Sequence, residues 1–188
     1  MFSLFKGPVP AEDLASAIWE STRDWPLKYG VEFRQTFERS FAGRTDDVLN
    51  EIVYFLAFAT DYALSHLLEK TPSVQQAVRN KFALHVEKFA AENGCTPVPS
   101  GDWHGDGLIW TAGGAKPDGD SVTNLKRRFE LYGKSVSRRP DKPAGERAAH
   151  VLAALCGTAD IGFIICVTPL FVGRWNGVKN SLERLEIK

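Results

Sequence analysis

Residues 46–69, DDVLNEIVYFLAFATDYALSHLLE, are apolar on almost every face. Val48, Ile52, Phe55, Leu56, Phe58 and Leu64 recur too densely to leave the polar stripe of a surface helix, and a helix apolar all round is a buried one. The rest of the chain must therefore wrap this element. A chain of 188 residues can do so as one domain with a substantial core.

The flanking segments read mostly as helices. Pro10, followed by Glu12 and Asp13, opens a helix with proline in the first turn and acids at the positive end of the dipole. Val31, Phe33, Phe37 and Phe41 fit helical spacing only in part. Thr45 is the expected N-cap of the central helix, which stops before Thr71-Pro72 because a residue preceding proline avoids the helical region. A further helix is expected from Pro72 to Asn93, with Gly94 as its C-terminal stop. The short link makes it antiparallel to the central helix. Residues 95–121 change character to Gly, Pro and Asp around Trp103, Leu108, Ile109 and Trp110, which reads as a long ordered loop holding a short strand near Leu108 to Thr111. An amphipathic helix then carries Leu125, Phe129, Tyr132 and Val136, and 140–145 reads as a linker.

The last apolar stretch, Val151 to Gly173, is 23 residues with Asp160 as its one formal charge. Length and hydropathy meet the requirement for a membrane span. Asp160 near the middle, Gly157, Gly162 and Pro169 oppose it, since a mid-bilayer carboxylate costs about 2.5–3.5 kcal/mol. The expectation is a buried partner of the central helix, broken at Gly157 or Pro169, followed by a short polar helix to Lys188. The fold class expected is all-α, a mostly antiparallel helical bundle forming a single domain over 1–188.

Function is far less legible. Lys plus Arg equals Asp plus Glu, 23 each, so whole-molecule charge points to no polyanionic partner. Locally, Lys126 to Arg147 holds eight basic residues against three acidic ones. Lys126, Arg127, Arg128, Arg138 and Arg139 therefore form a candidate basic binding face. Its aromatics sit at core spacing, so no nucleic-acid signature accompanies it. Three cysteines without paired spacing resemble free thiols rather than a disulfide framework. Lys6, Gly7 and two prolines interrupt the first ten residues as a secretory signal, so a cytoplasmic location is expected.

Two sets of side chains could ligate a metal. Asp61, His66 and Asp160 lie on the two apolar segments, where carboxylates are expensive unless paired or coordinated. The Glu-x-x-His motif of carboxylate-bridged bundles is missing. Asp102, His104 and Asp106 alternate on a glycine-rich loop, but the position that would carry the bidentate acid of a calcium loop is Gly113. No CxxC, GxGxxG or GxxxxGK[ST] occurs, so no cofactor is specified and the chain reads as leaning away from an enzyme. The expectation is a protein-binding or regulatory module acting through a partner or self-association. A metal- or small-ligand-binding bundle and a protein attached to a membrane through 151–173 are the alternatives.

Overall fold

The computed structural model describes residues 9–25, 41, 43–98, 101–104, 107–110, 119–138 and 141–184. They form an all-α fold of six helices packed against one another: α1 (Ala11–Arg23), α2 (Thr45–Leu67), α3 (Pro72–Asn93), α4 (Ser121–Arg138), α5 (Ala144–Leu155) and α6 (Ile161–Arg184). A small antiparallel hairpin, β1 (Gly101–His104) and β2 (Gly107–Trp110), lies between α3 and α4 in the chain, and β2 packs beside α5. Among the earlier expectations, most of the Val31–Phe41 segment and Thr111 fall outside the described residues.

Helix α2 is the axis. Every residue from Glu51 to Thr60 is buried, because two apolar clusters take opposite sides of it. Phe55, Leu56 and Phe58 join Tyr132, Leu152 and Phe171 from α4, α5 and α6. Val53, Tyr54 and Leu64 join Leu14, Trp19, Phe82 and Val178 from α1, α3 and α6. Each large side chain so buried contributes about 1.5–3 kcal/mol, which explains why the central helix needs no polar face.

Chain-adjacent helices run antiparallel. Asp61 meets Arg79 and Tyr54 meets Gly94 between α2 and α3, while the Ser135 hydroxyl donates to the Arg147 carbonyl between α4 and α5. Two pairs of helices that are not neighbours in the chain, α1 with α3 and α2 with α6, are parallel. Glu12, Ser16 and Trp19 of α1 face Lys81, His85 and Phe89 of α3 in the same order. Likewise Phe55, Tyr62 and His66 of α2 ascend with Phe171 and Trp175 of α6.

Two local expectations shift, and a third is settled between its two alternatives. The N-cap of α2 is Arg44 rather than Thr45, with Val48 N–H donating to the Arg44 carbonyl. The apolar run 151–173 breaks at Gly157 and not at Pro169. Gly157 has φ 70°, a left-handed conformation open to glycine, and the chain reverses into α6. Gly145, whose added Cβ would lie 3.1 Å from the Phe171 Cβ, lets the returning helix approach α5 closely. Helix α6 continues through Pro169 to Arg184, so the polar tail is its last turns rather than a separate helix. Pro169 lies on the exposed side, where solvent can hydrate the carbonyl that proline leaves unbonded.

Candidate functional site

The sequence-selected carboxylates and imidazoles do not converge. Asp61 accepts two hydrogen bonds from Arg79, at 2.7 and 2.8 Å, in a fork-to-fork pair that ties α2 to α3. His66 donates from Nδ1 to the Tyr62 carbonyl at 2.8 Å and packs its ring, tilted, against those of Tyr62 and Trp175. Asp160 caps α6, accepting from the Gly162 N–H at 2.8 Å. It stands beyond the N-terminus of α6, where Gly157 approaches Arg44. Asp61 is 17 residues further along the parallel α2, roughly 25 Å away at the helical rise. Asp102 and His104 occupy β1 opposite Ile109 and Gly107, and Asp106 lies outside the described residues. Among the described residues no three His, Cys, Asp or Glu side chains gather closely enough to hold a metal.

The basic face also changes. Lys126, Arg127 and Arg138 are exposed, with Lys126 3.2 Å from Glu87; Arg139 is outside the described residues. Arg128 belongs to the core and not to that face. Its side chain is 1% exposed and pairs with Glu51 of α2 through Nε and Nη2. It also donates to the Thr96 carbonyl and hydroxyl and lies over the Tyr54 ring. Burial works against its charged form, but the hydrogen bond and charge of Glu51 outweigh that and hold the guanidinium above its ordinary value. Arg128 and Asn124, which donates to the Cys95 carbonyl at 3.0 Å, thus clamp the strand of chain leaving α3.

A second buried cation, Arg174 on α6, meets only neutral acceptors among the described residues. Nε donates to the Thr60 hydroxyl at 3.1 Å, Nη2 to the Thr22 hydroxyl at 2.9 Å and Nη1 to the Ser21 hydroxyl at 3.2 Å. The hydroxyl protons of Thr22 and Thr60 are spent on the Ile18 and Leu56 carbonyls, which leaves their lone pairs for Arg174. Desolvation pushes Arg174 down to about 10.

The same burial acts on thiols. Desolvation pushes Cys95 from its ordinary 9.0 up to about 11 and raises Cys156 and Tyr54 as well. A raised folded-state pKa means that the folded chain holds a proton the unfolded chain releases. The contribution of Cys95 is therefore complete below pH 9 and is lost as pH rises toward 11. Urea unfolding at pH 8 and pH 10 is expected to show a loss on the order of 1 kcal/mol from Cys95. Cys95→Ala should remove that increment, and an identical pH slope in the variant would exclude Cys95 as its source.

Among the described residues, two surfaces are open to other molecules. On α6, Ile161, Ile165 and Val172 are 70%, 65% and 53% exposed, so the apolar run expected to be buried is buried on one side only. Gly162, Cys166, Pro169 and Gly173 complete an outward stripe with no charge for 13 residues, about 18 Å of helix. By length and composition α6 also suffices to cross a membrane, with 28% of its apolar window buried. The second surface is a cleft of about 200 Å³ between α1 and α3, bounded by Ser16, Trp19, His85 and Phe89. Comparison with family models, curated proteins and solved structures gave no match.

Signals for the missed groups were present. Arg128 falls at core spacing between Leu125 and Tyr132, and Arg174 between Leu170 and Val178. A charge in phase with an apolar stripe is a buried charge. The cleft joins helices that are not neighbours in the chain, and no spacing within either one announces it.

Proposed function

We propose that this chain is a non-enzymatic protein-binding or regulatory module of the cytoplasm whose contact face is the uncharged half of α6. The observation that carries the reading is the exposure of Ile161, Ile165 and Val172 on one helix face, since exposed apolar patches of this kind mark interaction sites. With no charge on the stripe, a second α6 meets it without repulsion, and the simplest occupant is a second copy of the chain. A face about 18 Å long and 10 Å wide is smaller than the roughly 800 Å² per partner of a stable complex. The contact is therefore of the weak, reversible kind suited to regulation.

Cys166 lies in the stripe and is exposed, whereas Cys95 and Cys156 are buried. Oxidation with copper–phenanthroline is expected to join two Cys166 thiols into a disulfide, with the copper complex taking up the two electrons. Ile165→Glu, an exposed change worth less than about 0.5 kcal/mol in stability, should abolish the cross-link. Equal cross-linking in the parent and the variant would refute a contact through this face. A bilayer surface is the second reading, favoured by the length and hydropathy of α6. Flotation with phosphatidylcholine vesicles that Ile165→Glu prevents, without cross-linking in solution, would select it.

A further inference from the structure

We infer that the cleft between α1 and α3 is a binding site for a small zwitterion of the free amino-acid class carrying an aromatic or bulky apolar side chain. The two helices are parallel and present matched rows. Ser16, Trp19, Glu20 and Arg23 occupy one face of α1, and His85, Lys88, Phe89 and Glu92 occupy one face of α3, both at intervals of three, four and seven. At one end the Ser16 hydroxyl and His85 Nε2 are hydrogen-bonded at 3.2 Å, and one turn below them Lys81 closes onto Glu12 at 2.9 Å. Above that closure the helices part around Trp19, whose ring meets Phe82 and Phe89 edge-on at 6.0 and 5.6 Å.

The charges above the rings are the informative part. Glu20 and Arg23 stand on one wall and Lys88 and Glu92 on the other. Complementary charges on facing helices ordinarily pair, as Glu12 and Lys81 do. Here each cation turns to its own helix: Arg23 to Asp24 at 2.9 Å and Lys88 to Glu92 at 3.9 Å. Among the described residues no ion pair crosses the cleft at this level. Both signs thus line an opening with an aromatic floor and a hydroxyl–imidazole pair at its end. A ligand bearing one ammonium and one carboxylate can set each group against an opposite charge on these walls, while a singly charged ligand leaves one sign on both walls unmatched. The cleft has the volume of about seven waters, which suits a ligand of roughly ten heavy atoms.

The test is titration of the full chain with L-phenylalanine, phenylacetate and phenethylamine, followed by amide chemical shifts and calorimetry. The zwitterion is expected to shift amides of Ser16 to Arg23 and His85 to Glu92, and to bind on the order of tenfold more tightly than either singly charged analogue. Lys88→Glu, at an exposed position, should weaken it by a similar factor, and His85→Ala should weaken all three ligands. Absence of shifts at millimolar L-phenylalanine would overturn the inference. Equal binding of the three ligands, or binding indifferent to Lys88→Glu, would overturn it too.

Discussion

Glu51→Leu, made alone, is expected to destabilise the fold by about 3–5 kcal/mol, the largest effect of any single change considered, because it strands a fully buried guanidinium. Arg128 is 1% exposed and sits among Tyr54, Cys95 and Thr96, where water cannot replace the lost carboxylate. Arg128→Met alone leaves Glu51 in the reverse predicament and should cost a similar amount. The double variant restores apolar packing across α2 and α4, and its stability should return to within about 1 kcal/mol of the parent. Urea unfolding of the four proteins measures the coupling. If the single losses simply add, Glu51 and Arg128 are not a coupled pair. The hydrogen bonds to Thr96 give this pair a second consequence: Arg128→Met should also loosen the chain after α3, seen as faster amide exchange at Cys95 and Thr96.

The second large effect concerns Arg174. Thr22→Val and Thr60→Val conserve shape while removing the two hydroxyl acceptors of its Nη2 and Nε groups. Each is expected to cost about 1–3 kcal/mol, the penalty for leaving a buried donor unsatisfied. In an Arg174→Met background the same two changes should cost little, because nothing then needs the acceptors. Arg174→Met itself should be neutral or stabilising, since it removes a charge buried without a carboxylate among the described residues. The pH dependence has a defined sign. Desolvation lowers the folded pKa to about 10, below the ordinary arginine value, so charging opposes folding, and the penalty fades as pH rises above about 10. That trend opposes the thiol effect, which starts one unit lower.

Much of this architecture was readable because burial leaves a periodic mark. Helix α2 is apolar all round and is enclosed on both sides; α3 begins at Pro72 and ends before Gly94 as turn chemistry requires. The limits are equally physical. Val151 to Gly173 looks uniformly apolar, yet Gly157 splits it and α6 buries only one face, because hydropathy does not distinguish a side covered by neighbours from one left open. Asp61, His66 and Asp160 were reasonable ligands on composition, but each is held by a local or cross-helix partner: Arg79, the Tyr62 carbonyl and the α6 N-terminus. Arg127 and Arg128 are adjacent in the chain and differ wholly in role, since a rotation of 100° per residue puts one in solvent and the other against Glu51. The cleft depended on α1 pairing with α3, a contact between non-neighbours.

Sedimentation velocity from micromolar to millimolar protein, on the parent and on Ile165→Glu, tests the contact face most directly. The parent is expected to rise reversibly above the 20.8 kDa of one chain as concentration increases, while Ile165→Glu stays at that mass throughout. If both remain at one chain's mass at millimolar concentration, or both associate alike, the uncharged face of α6 is not where copies of this protein meet.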